Sequence, residues 1–103
     1  MTRYKITGPV ARDIDEILDY IAAQSPQTAV LVSSRFEKAF DRLVDMPNLG
    51  HPREELKDAN ARVYSVSGYL VIYDPTLSPL HILRVVRGAR DLGRVSPRPK
   101  PGY

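Results

Sequence analysis

Hydrophobic and polar positions follow two rhythms along this chain, a helical period first and a strand period later. Val10, Ile14, Ile17, Leu18 and Ile21 fall three or four apart, with Arg12, Asp13, Asp15, Glu16 and Asp19 between them. That spacing gathers the apolar side chains on one helix face and leaves the charges, the carboxylates included, on the solvated face. Pro9 suits the first turn, where a missing N–H costs nothing, and the helix is expected to end near Ala22-Ala23-Gln24. Ser25-Pro26 reads as a second start, a serine cap followed by proline at the first helical position. Ala29, Val32, Phe36, Phe40 and Leu43 repeat the period as far as Asp45. With so few residues between them, the two helices are expected to lie antiparallel as a hairpin. Pro47, Gly50 and Pro52 end the second helix, and the polar stretch from Glu54 to Asn60 reads as loop.

The rest has the strand period. Tyr4-Lys5-Ile6-Thr7 is a short strand stopped by Gly8-Pro9. Ala61 to Val66 and Tyr69 to Tyr73 flank Ser67-Gly68, a tight-turn signal, and predict a hairpin. After a looser turn from Asp74-Pro75 to Pro79, Leu80 to Arg87 predicts a last strand, apolar on both faces and therefore central. The element order is β, α, α, β, β, β: an α+β fold, a small antiparallel sheet with a helical hairpin on one face. The core is expected to join Val10, Ile14, Ile17, Leu18, Ile21, Phe36, Phe40 and Leu43 to Val71, Leu83 and Val85 or their neighbours. No helix remains for the other sheet face, which is expected to meet solvent or a partner. Residues 1–95 read as one domain and residues 96–103 as an extended, basic, proline-rich tail.

A chain of 103 residues supports one modest core and not two domains. With 43% hydrophobic and 26% charged residues, disorder is excluded as the general state. Having no cysteine, the protein has neither disulfides nor thiolate chemistry. No segment approaches the roughly 18 apolar residues of a membrane span, and Met1-Thr2-Arg3-Tyr4-Lys5-Ile6 lacks the apolar core of a signal peptide. A cytoplasmic protein is expected. The net charge of +3 hides an asymmetry: residues 1–61 carry a net −2 and residues 62–103 a net +5. The basic half suggests an acidic partner or a solvated surface.

Little else suggests chemistry. His51 lies in a proline-rich turn and His81 at a strand start, neither within a ligand-spaced cluster, so no metal or other cofactor is expected. There is no glycine-rich phosphate loop. Tyr64, Tyr69 and Tyr73 suit sheet packing, since strands favour tyrosine; Tyr73 is also a candidate contact residue. The candidate partner- or target-binding residues are Arg62, Tyr73, Arg84, Arg87, Arg90, Arg94, Arg98 and Lys100. Arg84 and Arg90 have a structural alternative, pairing with Asp91 or a helix acid. From Arg87 to the end the chain has a net +4 over 17 residues. Pro97, Pro99 and Pro101 should hold it extended. It is expected to project toward an acidic target, so deleting Val95 to Tyr103 should abolish activity yet leave stability within ~1 kcal/mol.

Four blocks together resemble the RelE/ParE toxin superfamily, its ParE branch in particular, over roughly Tyr4 to Leu92. They are Ala11-Arg12-Asp13-Ile14-Asp15-Glu16-Ile17-Leu18-Asp19-Tyr20-Ile21; Leu43, Pro47, Gly50 and Pro52-Arg53; Arg62 and Val66 with Tyr69-Leu70-Val71-Ile72-Tyr73; and Arg84-Val85-Val86-Arg87-Gly88-Ala89-Arg90-Asp91. Arg87 departs from the histidine that many members carry there. The resemblance implies the toxin of a type II toxin–antitoxin pair, bound by a ParD-like antitoxin and inhibiting DNA gyrase; on the residues themselves, no membrane partner and no direct sequence-specific nucleic-acid binding are expected. Two alternatives remain: a ribosome-dependent mRNA endonuclease of the RelE type, and a non-toxic binding domain. Cleavage through the 2′-hydroxyl needs a base, an acid and cations for the phosphorane charge. Arg62, Arg84 and Arg90 could serve as cations, but Asp91-Leu92-Gly93-Arg94-Val95-Ser96 holds no Tyr or His, and Ser65 and Val66 stand where the RelE branch tends to place arginine. The expectation is a protein that binds and is not an enzyme.

Overall fold

The computed structural model describes residues 3–95 and Arg98. A strand β1 (Tyr4–Ile6) leads into helices α1 (Gly8–Gln24) and α2 (Pro26–Asp45), followed by strands β2 (Arg62–Val66), β3 (Tyr69–Asp74) and β4 (Leu80–Val86). The βααβββ order is the expected one. Single turns of 3-10 helix add Glu54–Leu56 and Ala89–Asp91. Among the described residues no helix is long and apolar enough to cross a membrane.

Ser25 makes the helical hairpin by serving both helices. Its N–H donates to Ile21 O at 2.8 Å, closing α1. Its Oγ accepts the Thr28 N–H at 3.3 Å and the Thr28 hydroxyl at 2.9 Å, capping α2. With one residue shared, the chain has to reverse at once.

The sheet runs β1-β4-β3-β2. β2, β3 and β4 form the predicted antiparallel meander, with Val66 facing Tyr69 across Ser67-Gly68. Ser67 and Gly68 both have positive φ, 51° and 85°, as the right-twisted two-residue turn requires. β1, however, pairs parallel to β4, Tyr4 opposite Leu80, so the sheet is mixed and not wholly antiparallel. Three residues of strand carry no pattern that could reveal direction; the intervening helices set it.

A register shift lies between Ile72 and Tyr73, which face Arg84 and Ile82, leaving Leu83 as an extra residue in β4. Such a bulge reverses the alternation of faces beyond it. Ile82 and Val85 therefore point to the helices, while Leu83 and Val86 point away. Leu83 was expected against the helices; the bulge places it on the far face. Elsewhere the helix-side core is as predicted. Val10, Ile17, Phe36, Phe40 and Leu43 are buried against Val71, Tyr73 and Val85, with Ile14, Leu18 and Ile21 partly buried beside them. Phe36 stacks on Phe40 at 6.2 Å between centroids and meets the edge of Tyr69 at 5.9 Å.

The far face is not bare. Leu56, Ala61, Val63, Ile72, Leu83, Val86 and Leu92 form a second buried cluster, with Leu70 and Val95 packed against it. The polar stretch before β2 and the basic stretch after β4 each contribute a leucine, Leu56 at 4% and Leu92 at 0% exposure. A fully buried leucine stabilises by roughly 1.5–3 kcal/mol, enough to fold both segments back onto the sheet.

Candidate functional site

The predicted contact residues divide by what holds them. Arg84, beyond the bulge in β4, donates from Nε to Asp13 Oδ2 at 2.7 Å and from Nη2 to Asp13 Oδ1 at 2.9 Å. Asp13 Oδ2 also accepts the Val85 N–H at 3.1 Å. Hydrogen bonding to Asp13 raises the Arg84 guanidinium above its ordinary value, against an opposing effect of burial. Asp13 is thus a lock between α1 and β4 and not part of a solvated face.

Tyr73 is fully buried. Its hydroxyl donates to Pro47 O at 2.6 Å and accepts the Gly50 N–H at 2.9 Å. Burial of the whole ring leaves it nothing to offer a partner, which corrects its place among the contact residues. A Cβ on Gly50 would lie 2.7 Å from the Tyr73 ring and from Val63 O, so the absence of a side chain there is what admits the tyrosine. Arg62 closes the same turn, donating from Nε to Gly50 O at 2.9 Å and from Nη2 to Asn48 O at 3.4 Å.

Arg98 also lies against the domain. It donates from Nη2 to Asp74 Oδ2 at 2.5 Å and from Nε to Asp58 Oδ2 at 2.5 Å. Asp74 is 1% exposed. Its other oxygen accepts the Thr76 N–H at 2.8 Å and the Thr76 hydroxyl at 2.6 Å. Burial pushes the Asp74 carboxyl up, but hydrogen bonds from Thr76 and Arg98 outweigh it and hold the group below its ordinary range. Asp58 is likewise lowered, chiefly by its hydrogen bond from Arg98. At Arg98 the chain is held down, where a projecting segment was expected; Lys100 and the three tail prolines lie outside the described residues.

Arg87, Arg90 and Arg94 remain exposed. The Arg87 guanidinium sits 5.0 Å over the Tyr20 ring, a cation–π contact between α1 and the end of β4. Arg87 and Arg94 border a cleft that also contains Glu16, Asp91 and Val95. Among the described residues none of these three arginines makes an ion pair within 4.0 Å.

A second basic surface escaped the sequence reading. Arg35, Lys38 and Arg42 of α2 line an open groove of about 410 Å³ with Tyr64, Ser65, Val66 and Ser67 of the β2–β3 hairpin. The spacing i, i+3, i+7 marked a shared helix face, but acidic Glu37 and Asp41 between them hid it in the charge count of the first half. Near the helical hairpin bend, Tyr20, Val30 and Leu31 are 55%, 72% and 49% exposed, large apolar side chains left uncovered.

His51 holds its position through backbone bonds to Val63, and His81 Nδ1 lies 2.8 Å from Pro79 O. Among the described residues no group of three or more His, Asp or Glu side chains is placed to hold a metal ion.

Comparison with known proteins matches residues 4–92 to the family described as ParE toxin of type II toxin–antitoxin system, parDE. A solved structure described as "Chromosomal ParDE TA system from P. aeruginosa" is similar in fold, with a TM-score of 0.67 and 21% identity over 84% of this chain and 95% of that one. No match was found among curated proteins.

Proposed function

Since the chain belongs to the ParE toxin family of type II toxin–antitoxin systems, we propose that it is the toxin of such a pair, neutralised by a ParD-like antitoxin and acting in the cytoplasm by binding DNA gyrase. The family match carries this reading, because it spans both helices and all four strands. The gyrase target follows from the resemblance of the sequence blocks to the ParE branch.

Binding rather than catalysis is supported by where the arginines are spent. Arg84 is committed to Asp13 and Arg62 to the carbonyls of the turn after α2, so two of the cations that an RNA-cleaving site would need are engaged within the fold. The segment Gly88 to Val95, where a tyrosine or histidine would be wanted, instead supplies Leu92 to the second core. Exposed Arg87, Arg90 and Arg94 are left to meet an acidic surface on the target, and the apolar side chains near the hairpin bend suit burial by an antitoxin that orders on binding.

Inducing the chain without its antitoxin tests the target. DNA synthesis should stop before protein synthesis, and gyrase–DNA cleavage complexes should accumulate. Early arrest of translation with cut mRNA would establish the RelE-type reading instead, and growth without any arrest would leave a non-toxic binding domain.

A further inference from the structure

The cations of α2 have no role in the function proposed above. Arg35, Lys38 and Arg42 share one helix face over about 10 Å and look onto β2, one of the two edge strands of the sheet. Among the described residues none of the three is ion-paired. The nearby acids Asp41 and Asp45 face Arg3. Arg35 Nη1 reaches Ser67 Oγ at 3.5 Å, the outer limit of a hydrogen bond. Three cations, a phenol and two hydroxyls thus border one groove with no acid lining it.

The strand edge beside them is half closed. His51 and Val63 exchange both backbone hydrogen bonds, at 2.9 and 2.8 Å, so Val63 turns its N–H and C=O away from β3. Groups that point the same way recur at every second residue of a strand. Ser65, exposed and two residues on, therefore turns its N–H and C=O outward too, and neither has a backbone partner among the described residues.

We propose that this groove receives an extended acidic segment of the antitoxin, which pairs backbone to backbone with Ser65 and lays carboxylates over Arg35, Lys38 and Arg42. The proposal rests on the toxin–antitoxin reading and adds the place and chemistry of one contact. A peptide fits better than a nucleic acid. Phosphodiester oxygens only accept, so they would match the cations and the Ser65 N–H but leave the Ser65 C=O unanswered. A strand supplies donor and acceptor together. Its same-face side chains recur about every 7 Å, which lets alternate carboxylates follow a row of cations about 10 Å long. His51 limits the pairing at Val63, so the added strand is short.

The test co-expresses the chain with the antitoxin encoded beside it, separates the two and measures their association and dissociation at low and high salt. Reversing the charges in a triple Arg35→Glu, Lys38→Glu, Arg42→Glu variant should slow association at low salt by about tenfold or more and remove most of its salt dependence. Ser65→Pro deletes the outward N–H without touching a cation and should speed dissociation roughly fivefold. Thermal melting checks that each variant is folded. Hydrogen exchange at the Ser65 amide of the unaltered chain, slowed in the complex, gives the same answer without a variant. Unchanged rates with an unprotected Ser65 amide overturn the groove while the toxin–antitoxin reading stands. A single-stranded oligonucleotide that binds these residues without competition from the antitoxin overturns it in favour of nucleic acid. If the unaltered chain forms no complex, both readings fall.

Discussion

The carboxylate of Asp13 is shared between the guanidinium of Arg84 and the backbone N–H of Val85, two consecutive residues of β4. It holds α1 to the sheet just beyond the bulge at Leu83, where the strand has lost its regular register. Asp13 and Arg84 side chains are 13% and 27% exposed, so each is costly to leave alone. Asp13→Ala should destabilise the fold by about 2–3 kcal/mol. Asp13→Asn, which can still accept the Val85 N–H, should cost less. In urea unfolding, the double variant with Arg84→Ala should cost less than the two single variants added; simple additivity would mean that the pair is not coupled.

Tyr73 should behave as a structural residue. Tyr73→Phe leaves Pro47 O and the Gly50 N–H without their partner and should cost about 1–2 kcal/mol. Gly50→Ala drives a methyl group into the Tyr73 ring and the Val63 carbonyl, and should cost about 1–3 kcal/mol. Antitoxin affinity of the folded Tyr73→Phe protein should be unchanged; a large loss would return Tyr73 to the contact surface.

Stability should fall in acid through Asp74 and Asp58. Both carboxyls sit below their ordinary value of 3.8 in the folded state. The stabilisation is therefore complete above the unfolded value and is lost as pH drops through the folded one. Arg98→Ala removes one cause of each lowering, so its unfolding free energy should depend less on pH between neutral and acid conditions. An acid limb as steep as that of the unaltered chain would show that Arg98 does not hold these carboxylates.

The end of the described chain is more than a charged appendage. Val95 packs on the second core and Arg98 neutralises a buried acid. Deleting residues 95–103 should therefore cost roughly 2–3 kcal/mol, above the ~1 kcal/mol expected for a surface change. Chemical denaturation decides between the two values.

Toxicity and stability should separate at the exposed arginines. Replacing Arg87, Arg90 and Arg94 together with alanine should change stability by no more than about 0.5 kcal/mol at Arg90 and at Arg94, and by about 0.5–1 kcal/mol at Arg87, which gives up its contact with Tyr20. Growth arrest on induction should nevertheless be lost. Full arrest by the triple variant would move the target contact elsewhere.

How far the sequence could be read depended on whether a signal was local. The apolar helix faces, the Ser25 cap and the Ser67-Gly68 turn are each written within a few residues, and they form as expected. The direction of β1 and the bulge at Leu83 arise from pairing between distant segments, and no local pattern encodes them. Leu56 and Leu92 were overlooked because a single leucine among polar residues has no period, although one leucine per segment suffices to pin it. At the candidate site, the basic second half was visible as a charge count, but Arg62, Arg84 and Arg98 find their partners 12, 71 and 24 residues away. Counting charges shows which residues are cations; only packing shows which are already taken.

Strand order also bears on when the domain can be completed. β4 lies between β1 and β3, and the second core needs Leu92 from beyond it. A chain growing from the ribosome has made β1, both helices and the β2–β3 hairpin before the strand that joins β1 to the hairpin exists. The sheet cannot close on a partial product, and the arginines that follow β4 cannot be presented on a finished surface until β4 and Leu92 have been made. If the proposed function holds, a chain terminated before Leu92 should lack the finished surface and be inert on induction.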